Sequence, residues 1–388
     1  MAEAGGAGAG GAGGGAGGDG ADGMAVPGWI DRLGRMVERG AGFWQRLGDL
    51  ESRIYAHELE GVAVDRPVYV AGLARAGTTV LLEILAGRPG VATHRYRDFP
   101  PVYTPLLWNR AFAGVYRADT PPAERSHKDR ILVTPDSPEA MEEVLWMRFF
   151  PGAHEAGRSQ VLDAATSNPA FERFYRDHLR KILLVRGGTR YLAKGNYNLT
   201  RLAYLRRLFP DARFVVPVRD PSWHIASLAK QHRLFCAEET RDPRILAHMR
   251  RAGHMEFGLD RRAIDVGDGA AAEVEALWAR GEEVRGWARY WNSLHRFLAR
   301  QRASDPAGLG EATLVVRYED LCDRPRETLR SVLAHARLDA GLGEAELDGL
   351  AARLSPPAYY APRFSDAERA AIAEETAEAR GLLGYGDA

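Results

Sequence analysis

The stretch Gly72-Leu73-Ala74-Arg75-Ala76-Gly77-Thr78-Thr79 has the frame of a phosphate-binding loop, GxxxxGK[ST]. Its glycines let successive backbone N–H groups turn inward around an anion, and a following helix adds the positive end of its dipole. One position departs from that frame. Where the loop ordinarily carries lysine, this chain has Thr78. That lysine reaches the outer phosphates of a nucleoside triphosphate, so a triphosphate with Mg²⁺ loses its main counter-charge. Arg75, inside the loop, is the alternative cation. It would sit close to a shorter phosphate group, with the hydroxyls and amides of Thr78 and Thr79 on the oxygens. A Gly-containing turn that binds nothing has the same composition, so further residues must decide.

Three more positions could act with this loop. Arg219 follows an apolar run, and Ser227 lies eight residues later. An arginine at a strand end and a serine on the next helix can grip one phosphate from two sides, the guanidinium as a fork and the hydroxyl as a directional donor. Lys194, in Leu192-Ala193-Lys194-Gly195-Asn196, is one of only four lysines and also stands at the end of an apolar run.

The elements that must hold these residues can be read from the pattern. Pro67 to Ala71, closed by Gly72, reads as a buried strand, and Thr78 to Ala86 as a helix stopped at Gly87. Residues 190–193, 213–218 and 313–316 are further strand candidates. Helices are expected at 198–209, from Pro221 onward with Asp220 as N-cap, and at 325–336. Strands alternating with helices imply an α/β fold with a central parallel sheet flanked by helices. Residues 100–190 and 230–310 break the alternation and read as insertions covering the site. Trp29 to Leu59 reads as a helical segment, with apolar residues at three- and four-residue steps. It either packs on the domain or lies on a membrane surface.

The division expected is a Gly/Ala-rich, disordered tail over 1–23, an N-terminal helical segment over 24–62, and one domain over 63–388. The tail is too poor in apolar residues to bury a core and lacks the basic start and apolar stretch of a signal peptide. No run of about 18 apolar residues suggests a membrane span. The balance of 52 basic and 52 acidic residues gives no argument for bulk nucleic-acid binding. Two cysteines, Cys236 and Cys322, form no CxxC pair, and a reducing cytoplasm is the expected setting.

Three motifs in this order resemble the sulfotransferases that use 3′-phosphoadenylyl sulfate (PAPS): Arg75-Ala76-Gly77-Thr78-Thr79, then Arg219 with Ser227, then Val315-Val316-Arg317-Tyr318-Glu319-Asp320-Leu321. The resemblance spans roughly residues 66–340 and implies a P-loop-like sulfotransferase fold. It implies that residues 75–79 hold the 5′-phosphosulfate, with Ala76 replacing the usual serine, and that Arg219 and Ser227 hold the 3′-phosphate. It also implies that Lys194 is the second catalytic cation beside Arg75, in an in-line sulfuryl transfer that requires no metal. Tyr318-Glu319-Asp320 is read as structural support.

The base that takes the acceptor proton is less determined. One branch of the family has a histidine two residues after the lysine, where this chain has Asn196. Another has a glutamate shortly after the first helix, near Tyr96 here. Asp98, His127 and His94 are therefore the candidates. Asp136 to Val144 reads as a capped helix start, although Glu142 or Glu143 could face the acceptor. Trp278, Trp287, Tyr290 and Trp291 read as core or as an acceptor wall. The expected acceptor is a hydroxyl of a small molecule, carbohydrate or lipid, with no nucleic-acid partner and an open oligomeric state. A P-loop kinase and an inactive nucleotide-binding scaffold are the competing readings.

Overall fold

The computed structural model describes residues 26–112, 122–124, 132–356 and 361–386. The Gly/Ala tail and His127 lie outside these. The described chain forms seven strands: β1 (Val68–Ala71), β2 (Val91–Ala92), β3 (Ala123–Glu124), β4 (Leu132–Val133), β5 (Arg190–Gly195), β6 (Arg213–Val218) and β7 (Thr313–Arg317). Five of them make one parallel sheet in the order β2-β5-β1-β6-β7, and β3 with β4 forms a separate antiparallel pair.

Alternation along β1 explains how the sheet is held. Val68 and Val70 enter one apolar cluster with Leu192, Val215 and the helix residues Leu81, Leu82 and Leu85. Tyr69 and Ala71 enter the other, with Tyr191, Phe214 and Val216. Successive strand side chains point to opposite faces, so each face of a fully buried strand needs its own cover. Truncating one of these leucines to alanine would cost about 2–5 kcal/mol.

The expected strands are present with ends shifted by at most two residues, and β2, a two-residue edge strand, was not foreseen. The helix expected at 198–209 is a 3-10 turn over Tyr197–Thr200 followed by a helix over Leu202–Leu208. Asp220 caps Pro221–Arg241 as expected, accepting from the amides of Ser222 and Trp223. Trp29 to Leu59 is three short helices, Gly28–Arg39, Ala41–Ile54 and Ala56–Glu60. Within the described residues, no helix is long and apolar enough to cross a membrane.

Candidate functional site

The phosphate loop runs from the end of β1 into the helix Thr78–Ala86. Two of its residues have left-handed backbones, Arg75 at φ 72° and Gly77 at φ 100°. A left-handed backbone at a non-glycine residue is uncommon and concentrates at functional turns. Gly77 is required twice over, since a Cβ there would stand 2.8 Å from the Tyr318 ring as well as at positive φ. Gly72 is required by close approach, because its Cβ would lie 2.9 Å from the Pro217 carbonyl oxygen. His224, fully buried, has its Nε2 2.8 Å from the Ala74 carbonyl. Burial holds its imidazole well below the usual range, so it meets the loop as a neutral ring whose Nε2–H donates to that carbonyl.

The two phosphate-facing motifs meet. Arg75 Nε donates to Ser227 Oγ at 3.3 Å, and Arg219 Nη1 donates to the Arg75 carbonyl at 3.3 Å. Arg219 and Ser227 are both buried. The Arg219 guanidinium lies over the Tyr318 ring, 4.6 Å from its centroid, an arrangement that holds the fork in one plane. Tyr318 therefore touches both halves of the site, a role beyond the structural support expected of it. Glu319 links the same region by accepting from the Asp220 amide (2.9 Å) and the Tyr385 hydroxyl (2.9 Å).

Lys194 sits near the end of β5, in parallel register with Val70 of β1. Its Nζ donates to Thr79 Oγ1 at 3.4 Å and to Glu139 Oε1 at 3.2 Å. Glu139 is buried, yet it lies far from this point in sequence. Two backbone hydrogen bonds bring it there: the Glu139 amide donates to His94 O (3.1 Å) and the Tyr96 amide to Ser137 O (3.1 Å). A small cavity beside Lys194 is lined by Ala140, Asn196, Tyr197, His254 and Glu256. Asn196 is tied there through Nδ2, which donates to Glu256 Oε1 at 2.8 Å.

Two base candidates take other places. Asp98 is 1% exposed and accepts both contacts of an Arg186 amino group (2.6 and 2.7 Å), the Arg95 amide (2.8 Å) and Asn109 Nδ2 (3.0 Å). Burial alone would raise its carboxyl, but the His94 hydrogen bond and the Arg186 charge outweigh it and hold the group well below the usual carboxylate range. None of these partners belongs to the phosphate loop or to Lys194, so Asp98 is corrected from base to anchor of the segment that positions Glu139. His94 is 1% exposed between Asp98 (3.5 Å) and His178 (3.0 Å), and the same correction applies.

The acidic run is no helix cap. Asp136 pairs with Arg95, Glu143 with Arg201 and His154, and Glu142 accepts from the Tyr175 and Tyr191 hydroxyls. The helix begins only at Glu143. Sequence reasoning passed over Glu139 because its neighbours looked like one capping cluster. Trp287, Tyr290 and Trp291 are buried in the core and form no acceptor wall. Within the described residues, no group of three or more His, Cys, Asp or Glu side chains could hold a metal ion.

The arrangement therefore offers an arginine-bearing anion loop, a second arginine–serine pair joined to it, and a lysine–carboxylate pair at its edge. No curated protein matches the chain. Among solved structures it is similar to sulfotransferase STF1 from Mycobacterium tuberculosis H37Rv, at 17% identity over 95% of this chain and 88% of that one, with a TM-score of 0.50. It is also similar to sulfotransferase STF9 from Mycobacterium avium, at 17% identity over 87% and 80%, with a TM-score of 0.46. The first likeness bears on the fold, a parallel sheet flanked by helices. The model of the sulfotransferase family matches residues 67–340, the span that holds the phosphate loop, Lys194, Arg219, Ser227 and Tyr318, and the chain belongs to that family.

Proposed function

We propose that the protein moves the sulfuryl group of PAPS to a hydroxyl of an acceptor by in-line transfer. The observation that carries this reading is the junction of Arg75 with Ser227 and Arg219. It brings the phosphate loop and the Arg219–Ser227 pair into direct contact, as one nucleotide with phosphates at both the 5′ and 3′ positions would require; ATP has no 3′-phosphate. The loop amides of residues 75–79, with the Thr78 and Thr79 hydroxyls, would receive the 5′-phosphosulfate. Arg219 and Ser227 would receive the 3′-phosphate.

Sulfuryl transfer resembles phosphoryl transfer: a planar group passes between two oxygens while charge gathers on the leaving phosphate. Positioning and fixed cations then supply most of the acceleration. Arg75 and Lys194 are the cations in this reading. Glu139, held on Lys194, is assigned as the base that takes the acceptor hydroxyl proton. The small cavity beside Lys194 is polar through Asn196, His254 and Glu256.

Two measurements test the proposal. Adenosine 3′,5′-bisphosphate without Mg²⁺ should raise the melting temperature, because a ligand bound only to the native state stabilises it. Labelled PAPS incubated with cell extract should then transfer label to an acceptor. Stabilisation by ATP with Mg²⁺ but not by the bisphosphate would replace this reading with a kinase. Tight bisphosphate binding with no transfer to phenols, sugars or lipid alcohols would leave an inactive nucleotide-binding scaffold.

A further inference from the structure

The N-terminal helices carry two rows at the same spacing. Trp29, Met36, Phe43 and Leu50 are seven residues apart, and each is followed three residues later by an arginine: Arg32, Arg39, Arg46 and Arg53. In the helices Gly28–Arg39 and Ala41–Ile54 all eight are exposed. Phe43 is 60% exposed and Met36 52%, and Ile54 adds a fifth apolar side chain at 59%. These five make up most of the large apolar side chains exposed among the described residues. Residues seven apart drift by only about 20° around a helix, so Trp29 with Met36, and Phe43 with Leu50, each share one face of their helix. A three-residue step turns the helix by about 300°, so the arginine row lies about 60° beside the apolar one.

The opposite faces of these helices are occupied. Asp31 and Glu38 pair with Arg251, and buried Glu51 pairs with Lys181. By contrast, Arg32, Arg39, Arg46 and Arg53 have no carboxylate within salt-bridge distance among the described residues. Exposed apolar side chains beside unneutralised arginines on both helices call for a partner that is both apolar and anionic. A second copy of this face would set arginine row near arginine row. Residues 1–23 contain no aromatic or branched apolar side chain to fill the apolar row.

We propose that this face docks on an anionic lipid surface. Trp29, Met36, Phe43, Leu50 and Ile54 enter the boundary between headgroups and acyl chains, and the four arginines reach lipid phosphates. The helix Pro243–Ala252, fixed to the opposite face of these helices through Arg251, leads directly into Gly253 and His254 at the cavity beside Lys194.

The test is sedimentation of the full chain with phosphatidylcholine vesicles, with and without phosphatidylglycerol. Binding is expected only to the anionic vesicles and should weaken with added salt. Phe43→Ser with Leu50→Ser should reduce partitioning at least about tenfold, and Arg39→Gln with Arg46→Gln should reduce it about tenfold or more. Since these side chains are exposed, melting temperatures should match the parent and separate lost docking from lost folding. Absence of vesicle binding by the parent chain overturns the proposal, as does binding that neither double variant changes. A parent dimer that Phe43→Ser converts to monomer, without vesicle binding, would assign the face to a second copy instead.

Discussion

Lys194 Nζ stands 3.2 Å from Glu139 Oε1, so the lysine at the end of β5 and a carboxylate from the first insertion share one edge of the phosphate loop. The same ammonium reaches Thr79 on the loop helix at 3.4 Å. A base and a cation held this way can act on the two sides of one transferred group. In the proposed reaction the lysine would serve the donor end and the carboxylate the acceptor end.

Glu139→Gln should separate catalysis from binding. The amide keeps an oxygen for Lys194 but cannot take a proton. Transfer from labelled PAPS should fall by about 10²–10⁴, while the thermal shift given by adenosine 3′,5′-bisphosphate stays unchanged. Loss of both together would make Glu139 a structural residue, and an unchanged rate would remove it as the base.

Arg219→Ala should do the reverse. The guanidinium contacts the Arg75 carbonyl and lies over Tyr318. Its loss should weaken bisphosphate binding by at least about tenfold, in the range of one to three kcal/mol for a charge-assisted contact. Tyr318→Leu should weaken binding less, since it removes only the platform under the arginine. Calorimetric titration of both variants gives the order directly, and equal affinities for parent and Arg219→Ala would dissolve the 3′-phosphate assignment.

Gly77→Ala should disable the loop without touching a charge. At φ 100° the new Cβ is strained, and it would meet the Tyr318 ring at 2.8 Å. The expected loss is about 1–3 kcal/mol of stability, read as a lower denaturation midpoint, with bisphosphate binding reduced as well. Combining it with Tyr318→Ala removes the clash but not the backbone strain, so recovery should be partial.

Much of this site was legible in the residues because it is built at strand ends. Gly72 to Thr79 announces its turn through two glycines, and Arg219 and Ser227 announce theirs through Asp220-Pro221. Local chemistry fixes both. Glu139 was not legible, because its place depends on backbone pairing between residues 94–96 and 137–139, about forty residues apart in the chain. Asp98 misled for the same reason. As a titratable group near the expected position it invited the base reading, and only the fold shows Arg186 closing on it from a distant helix. The sheet order was also beyond reach, since edge strand β2 is two residues long.

Asp98→Asn supplies the last test, of stability rather than chemistry. Asp98 has its folded carboxyl held well below its ordinary value, after the hydrogen bond from His94 and the charge of Arg186 overcome burial. A carboxyl depressed in the fold binds fewer protons there than in the unfolded chain. It contributes stability fully above the unfolded value of about 4, and that contribution drains away as pH falls further toward the folded value. Asp98→Asn leaves the Arg186 guanidinium buried without its counter-charge, at about 3–5 kcal/mol. The parent should therefore lead the variant by a wide margin in urea midpoint at pH 7, and the gap should narrow steadily below pH 4. Because Asp98 anchors the loop whose His94 carbonyl holds the Glu139 amide, residual folded Asp98→Asn protein should keep bisphosphate binding while losing transfer rate. A gap that stays constant down to acid pH would show that the Asp98–Arg186 pair is not what holds that loop.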